Sequence, residues 1–365
     1  MKAYILCILL VTLLNLINEK VFYIEKKRKI VSYLLTALSF LIVCGIAGVR
    51  HYTVGFDIRI YVTRLFSLSI NNNIFSYLFH CNSDILFALV VYLGGIFKNI
   101  HLSLFFIESA VALPIYIYAF KIKKKYNQSF TLTILIFLLT MYCVSLSLMR
   151  QSVAMSFCIL SYYFFDSNER KKAYILLIIA CLFHKSALVF ILVFFINNLI
   201  KSNNKNKKNI IFMSFLFLLF ASVFVKPIVS LTPYANYLHL STRPFSIGAV
   251  IKRLFWIVLV LVCKKSTTDK NYINELNITL LILILTVFTT VTSFYVSGTG
   301  RIGYYYIYLS NFLMVQQIPK KFVEQKVVIF ILLIIFTVFW WIGTCVENDS
   351  SRVYPYHSEI ITFLN

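Results

Sequence analysis

The sequence predicts an all-α polytopic membrane protein, with about twelve transmembrane helices in one integral membrane domain over residues 1–365. The chain is 60% hydrophobic and only 13% charged. A soluble domain carries about 25% charged residues, so this chain has too few to cover a water-exposed surface. Apolar stretches of bilayer-spanning length recur from end to end, and no polar block is long enough for a separate soluble domain.

The predicted crossings follow from the apolar stretches taken in order. The first has no basic n-region beyond Lys2 and no small-residue cleavage site, so we expect a span there and not a signal peptide. Several of the other apolar stretches are short, so they reach across the bilayer only if flanking polar residues are included in the helix. The twelve predicted spans are 3–18, 30–49, 101–120, 129–149, 152–165, 173–183, 187–200, 210–231, 249–263, 277–296, 302–318 and 327–343.

A thirteenth apolar piece, residues 85–97, is short for a crossing. The positive-inside rule assigns the basic loops to the cytoplasm, and they share one side only if an even number of spans lies between residues 29 and 121. We therefore expect 85–97 to lie along the outer face or to be re-entrant, with both termini outside. The basic loops are 19–29, 121–125, 170–172, 201–208, 264–270 and 320–326.

Lysine and arginine are distributed differently along the chain. The net charge of +22 does not indicate nucleic acid, because cytoplasmic loops of membrane proteins collect basic residues. Only two of the arginines, Arg28 and Arg170, fall in the predicted cytoplasmic loops. Arginine binds phosphate through two parallel hydrogen bonds, so its retention outside predicts an anion-binding face. The eight outer arginines are Arg50, Arg59, Arg64, Arg150, Arg243, Arg253, Arg301 and Arg352.

The predicted outer loop 50–100 begins with the first candidate site residues. Arg50 and Asp57 are expected to line a cavity at the membrane surface, with Asp57 as a candidate general base and Tyr61 as a candidate substrate contact. The alternative is an interfacial loop whose aromatic rings and charges sit among lipid headgroups.

Two further candidates lie at junctions between apolar segments. Arg150 joins two apolar helices, where an arginine is costly unless it is paired or faces water. His184 shares its turn with Lys185 and Ser186, which places a titratable group at the predicted outer end of the bundle. The alternatives are a headgroup-seeking arginine and a structural histidine.

The segment 298–303 matches the dinucleotide pattern GxGxxG by letter. No βαβ unit surrounds it, so the match does not indicate a nucleotide site. Glycines before a helix start, together with Arg301, still suit a lipid diphosphate. Tyr305 is a candidate for stacking on a sugar, with a place in an aromatic belt as the alternative. Arg243 lies in a second outer loop, 232–250, expected to contribute to the site.

No metal site and no cofactor is predicted. The acidic residues assigned to the outer side are scattered along the sequence and form no ligand-type spacing. They are Asp57, Asp84, Glu108, Glu347, Asp349 and Glu359.

Several of these short segments, in their order along the chain, resemble the EpsG-type group of Wzy-like polysaccharide polymerases. One departure is Phe56, where the family more often has a small polar residue before the aspartate. The segments that carry the resemblance are Arg50 with Gly55-Phe56-Asp57 and Tyr61, Arg150-Gln151-Ser152-Val153-Ala154, Phe183-His184-Lys185-Ser186-Ala187, Arg301 with the following tyrosines, and Tyr354-Pro355-Tyr356.

The resemblance implies a GT-C-like helix bundle in the bacterial cytoplasmic (inner) membrane. It implies a glycosyltransferase that joins undecaprenyl-diphosphate-linked oligosaccharide repeat units into O-antigen, capsule or exopolysaccharide. A chain-length regulator and a flippase are the implied protein partners.

The expected reaction is displacement of a lipid diphosphate by a sugar hydroxyl. Asp57 or His184 would accept the proton, while Arg150 and Arg301, with Arg50 or Arg243, would neutralise the departing diphosphate. A ligase that transfers finished glycan is the second choice. A lipid-linked oligosaccharide flippase is third, because transporters show internal repeats and Gly- or Pro-broken helices, whereas this chain has no visible repeat and only 10 Gly and 6 Pro.

Overall fold

A computed structural model describes residues 1–24, 29–202, 230, 247–265, 267–293, 299–321, 326–346 and 352–364. These residues form helices and connecting segments, with no β-strand among them. The chain divides into two compact units, Met1–Leu188 with Phe330–Asn365, and Val189–Ile329. Of the predicted span 210–231, all but residue 230 lies outside the described residues.

Three long helices form the frame of the first unit. They are α1 (Lys2–Ile24), α2 (Lys29–Gly48) and α6 (Ile100–Tyr126). α2 packs against both α1 and α6. The Nδ1 atom of His101 lies 2.9 Å from the Gly48 carbonyl oxygen, so the end of α2 meets the start of α6. Residues 49–99 therefore fold at one end of this frame, which we call the 49–99 end.

One face of α2 is apolar and open to the surroundings. Leu34, Leu38 and Leu41 are spaced by four and three residues, so they share a face, and they are 64%, 47% and 50% exposed. A continuous apolar stripe of this kind is not stable in water but is suited to lipid chains.

Among the described residues, four helices are long and apolar enough to cross a bilayer. This agrees with a membrane protein, and the total of about twelve crossings stays a prediction. The four segments are Lys2–Lys20, Ile30–Gly48, Ile100–Tyr126 and Lys270–Thr292.

Short helices fill the 49–99 end. They are a π-helix (Ile58–Val62), α3 (Thr63–Asn71), α4 (Ile74–His80) and α5 (Ile85–Ile96). α5 corresponds to the predicted short piece 85–97, and its 12 residues extend about 18 Å at 1.5 Å per residue. The hydrocarbon core is about 30 Å thick, so α5 alone is too short to cross it.

α5 turns directly into α6 and packs closely against it. The Asn99 N–H donates to the Gly94 carbonyl at 3.1 Å, which makes the turn tight. The Ser103 hydroxyl of α6 donates to the Val91 carbonyl of α5 at 3.0 Å. A Cβ on Gly94 would overlap Ser103, so the glycine permits this close approach.

The remaining helices of the first unit include one interrupted segment. The predicted span 129–149 is formed by α7 (Phe130–Phe137), a second π-helix (Leu138–Tyr142) and α8 (Cys143–Ser145). The helix then breaks at residues 146–148 before α9 begins. The helices that follow are α9 (Met149–Asp166) and α10 (Arg170–Phe183), which pack against each other, and later α15 (Lys326–Cys345).

The second unit contains four described α-helices. α13 packs against both its sequence neighbours, α12 and α14. Gly303 of α14 faces the Thr289 side chain of α13 so closely that a Cβ would overlap it. The four helices are α11 (Ile191–Lys201), α12 (Ile247–Lys265), α13 (Lys270–Thr292) and α14 (Thr299–Lys321).

Residues 352–359 form a non-helical segment that we call the C-terminal strap. The strap is bonded to the N-terminal end of α1, where the Tyr4 hydroxyl donates to the Val353 carbonyl at 2.6 Å. It is also bonded to the end of α2, where the Tyr356 hydroxyl donates to the Ile46 carbonyl at 2.7 Å. The strap therefore closes the 49–99 end against α1 and α2.

The shortness of α5 generates a topology prediction. A reporter that is active only outside the cytoplasm, fused after Asp84 and separately after Asn99, is expected to be active at both positions, because a helix as short as α5 is predicted to begin and end on one side of the membrane. Activity after Asp84 but not after Asn99 would mean that α5 crosses, and the predicted sidedness would then need to be redrawn.

Candidate functional site

The loop 50–57 is fixed against the helix break before α9. The Asp57 N–H donates to the Ser147 carbonyl at 3.1 Å, and the Gly55 N–H donates to the Arg352 carbonyl of the strap at 2.7 Å. Gly55 has φ of +106°, and a Cβ there would overlap the Leu146 carbonyl oxygen. Only glycine allows this backbone conformation together with this contact.

Arg150 lies in the first turn of α9, three residues after the carbonyl that binds Asp57. Its Nη1 atom donates to Asp84 Oδ2 at 3.0 Å, and its guanidinium carbon lies 3.7 Å from the centre of the Tyr61 ring. The two charged side chains are 18% and 10% exposed. An ion pair stacked on an aromatic ring holds the guanidinium plane in a defined orientation.

His184 reaches the same carboxylate from the end of α10. Its Nδ1 atom lies 3.4 Å from Asp84 Oδ2, and its side chain is 29% exposed. A single carboxylate oxygen thus faces both a guanidinium and an imidazole. We call Tyr61, Asp84, Arg150 and His184 the Asp84 cluster.

Asp57 is placed beside this cluster through the backbone. It is 6% exposed and precedes the π-helix that carries Tyr61, four residues further on. The same segment therefore positions a candidate base and the ring beneath Arg150. Three of the predicted site residues, Tyr61, Arg150 and His184, come together in the structure, and Asp57 is attached to the same helix junction.

Arg50 lies inside the protein and not on a cavity wall. It is 1% exposed, with Nη1 donating to the Ala47 carbonyl at 2.5 Å and Nη2 lying 3.8 Å from the Met149 sulfur. Burial lowers the pKa of its guanidinium, and the Glu108 carboxylate partly opposes that effect. The structure thus gives Arg50 an enclosed position next to the start of α9, and its contact with a diphosphate stays a prediction.

Two of the predicted site residues, Arg301 and Tyr305, lie in the second unit. Arg301 is exposed in the first turn of α14, whereas Tyr305 is 1% exposed and turns its ring inward. Gly303 serves helix packing against Thr289. Arg243 lies outside the described residues, so its role stays a prediction.

Asp84 is the residue that sequence reasoning missed. Along the sequence it is one of several scattered acidic residues, yet in the structure it contacts both Arg150, 66 positions away, and His184, 100 positions away. Its position before α5 suggests an ordinary helix N-cap, but its side chain makes no capping hydrogen bond. Within the described part of the chain, no group of three or more His, Cys, Asp or Glu side chains is arranged to hold a metal ion.

The model of the EpsG family matches residues 32–358, which is 327 of the 365 residues. No curated protein and no solved structure matches the chain.

The Gly55 contact generates a stability prediction. Gly55→Ala is expected to lower the free energy of unfolding by about 1–3 kcal/mol, because alanine is strained at positive φ and its Cβ would overlap Leu146. The measurement is the thermal unfolding midpoint of the purified protein in detergent.

Gly45→Ala is the matched control, because Gly45 has open space around it within α2. Alanine is favoured over glycine inside a helix, so this variant is expected to be as stable as the unaltered chain or slightly more so. Equal midpoints for the two variants would contradict the close docking of residues 50–57.

Proposed function

The chain belongs to the EpsG family, and we propose that it is a polysaccharide polymerase that joins lipid-diphosphate-linked oligosaccharide repeat units at the outer face of the bacterial cytoplasmic membrane. The observation that carries the proposal is the Asp84 cluster. An arginine stacked on a tyrosine and a histidine facing a carboxylate form a partly exposed polar group at one end of an apolar bundle. Ionisable groups are costly in such a protein and mark functional sites by default.

The proposed reaction transfers the growing chain to an incoming repeat unit. A sugar hydroxyl of the incoming unit attacks the anomeric carbon of the chain, so a new C–O bond forms at that carbon. The bond from the anomeric carbon to the diphosphate oxygen breaks, and the lipid diphosphate leaves with the electron pair. The hydroxyl proton passes to a general base on the protein. No oxidant or reductant is required.

Arg150 is the proposed ligand of the departing diphosphate. A guanidinium can bind two phosphate oxygens with parallel hydrogen bonds, and Tyr61 holds its plane in place. Asp84 engages Nη1 alone and the buried Nε–H has no hydrogen-bond partner, so the hydrogen-bonding capacity of the guanidinium is not fully used. Stabilising the charge that develops on a leaving group is usually the largest catalytic contribution.

His184 and Asp57 are the proposed proton acceptors. When the Nδ1–H of His184 points at Asp84, the lone pair is on Nε2, and the partly exposed ring presents that atom as a base. Asp57 is an alternative base on the adjoining segment. A base oriented by a carboxylate is a common arrangement for removing a hydroxyl proton.

The other predicted residues enter the proposal with different roles. Arg301 is exposed at the start of α14, and its binding of a diphosphate is proposed from the sequence alone. Arg50 packs against Met149 and is proposed to support the start of α9. Tyr305 faces inward, so a sugar contact there requires a change in its packing.

The first functional prediction concerns Arg150. Arg150→Ala is expected to reduce polymer formation by about 100-fold or more, the usual effect of removing one transition-state donor. Arg150→Lys is expected to restore little, because an ammonium has no planar fork to bind phosphate oxygens or to stack on Tyr61. The measurement is polymer length on gels of surface glycan, with protein amount in the membrane checked by immunoblot.

Arg170→Ala is the control, because Arg170 also begins a helix and lies over an aromatic ring, Phe165, but has no part in the Asp84 cluster. It is expected to leave polymer length unchanged. Full activity of Arg150→Lys would show that any positive charge at this position is sufficient, and that the guanidinium geometry is not required.

The second functional prediction separates a polymerase from its rivals by product. Cells without this protein are expected to attach single repeat units to the final acceptor in place of a ladder, because flipping and ligation continue. A ligase deficiency would instead leave polymer on the lipid carrier, and a flippase deficiency would hold repeat units in the cytoplasmic leaflet. Asp57→Asn and His184→Ala are then compared, and a normal ladder in both would exclude them as the base.

A further inference from the structure

Asp84 occupies a helix-capping position that it does not use for capping. It precedes Ile85, the first residue of α5, with extended backbone angles, yet its carboxylate accepts no hydrogen bond from the backbone N–H groups of that helix. Aspartate at this position normally makes that bond and stabilises the helix by about 1 kcal/mol. Here the carboxylate contacts Arg150 and His184. Its position therefore serves the cluster and not the helix.

The contacts of Arg150 in the cluster are incomplete. Asp84 engages Nη1 alone, and the Nε–H is buried with no hydrogen-bond partner. A buried donor without a partner is unfavourable compared with one that is hydrogen-bonded. A ligand with several oxygens in a fork-like arrangement would satisfy more of these donors than one carboxylate oxygen does. The present pairing is therefore suited to being exchanged.

We propose that Asp84 is a positioning residue that holds Arg150 and His184 in one geometry until the lipid diphosphate takes Arg150 from it. The inference rests on the proposed function, since it assumes a diphosphate ligand for Arg150. A diphosphate carries more negative charge than a carboxylate and offers the two-oxygen geometry that the guanidinium prefers. After the exchange, His184 is the remaining partner of the Asp84 carboxylate within the cluster.

The exchange links binding of the donor to activation of the acceptor. Before the donor binds, Asp84 Oδ2 lies closer to Arg150, at 3.0 Å, than to His184, at 3.4 Å. Once Nη1 of Arg150 donates to the diphosphate, the Asp84 carboxylate accepts only the Nδ1–H of His184 and fixes the orientation of that ring. His184 is thus best oriented as a base only when a leaving group is in place.

The experiment measures probe binding and turnover separately with the full-length protein in detergent. Farnesyl diphosphate is the probe, as a short lipid diphosphate, and polymer formation from the natural lipid-linked unit gives kcat and KM. Asp84→Asn is expected to bind the probe about five-fold more tightly or better, because no carboxylate competes for Arg150. Its kcat is expected to fall about 10- to 100-fold, because His184 loses its orienting partner.

The Asp84 side chain makes no capping bond to α5, and asparagine is well tolerated at this position, so α5 is expected to remain folded in Asp84→Asn. Asp84→Ser provides the same comparison if the asparagine variant is not stable, and Asp84→Glu is expected to recover part of kcat. Glu169→Gln is the charge-matched control, since the exposed pair of Glu169 with Lys172 is outside the cluster. It is expected to bind and turn over like the unaltered protein.

Weaker probe binding in Asp84→Asn would overturn the exchange, because Asp84 would then support Arg150 for the donor without competing with it. Unchanged kcat would also overturn the proposed role. Arg150→Ala tests the underlying function separately. If it binds the probe as the unaltered protein does, or if the unaltered protein binds no probe, the diphosphate assignment fails and the role of Asp84 fails with it.

Discussion

The helix break between α8 and α9 is the constraint on which the Asp84 cluster depends. An interrupted helix leaves backbone carbonyls without their helical partners, and a membrane protein has little water to satisfy them. The N–H of Asp57 bonds the Ser147 carbonyl, and Gly55 allows the loop to approach closely enough. Arg150 follows the break by two residues and Tyr61 follows Asp57 by four, so this one contact brings the arginine and the ring together.

The sequence indicated several helices of the first unit and two of the residues that contact Asp84, but not Asp84 itself. Apolar runs located α1, α2, α6 and the short α5, and the cost of ionisable groups in apolar surroundings identified Arg150 and His184. Asp84 was not predicted as a site residue because an aspartate before an apolar run suggests a helix cap. Its partners are 66 and 100 positions away, and no local pattern reports contacts over such distances.

The orientation of side chains at helix ends was also beyond the sequence. In a soluble helix, polar and apolar faces reveal which side points inward. In a membrane helix both the lipid-facing and the protein-facing sides are apolar, so this contrast is weak. The sequence therefore located Arg50 at the end of α2 but did not predict that its side chain contacts Met149. It likewise located Tyr305 in α14 but did not predict that its ring is buried. Stacking alone does not mark a site either, since Arg170 also lies over an aromatic ring.

The strap has a consequence for biogenesis. The bond from Tyr4 to Val353 joins residues 349 positions apart, and the first unit is built from residues on both sides of the second unit in sequence. A ribosome adds about 5–20 residues per second, so α1 and α2 are synthesised well before the strap emerges. Closure of the 49–99 end is thus a late event that follows synthesis of the whole intervening segment. Nascent chains that stall before residue 353 cannot reach the closed arrangement, so the cell would have a structural distinction between finished and unfinished protein.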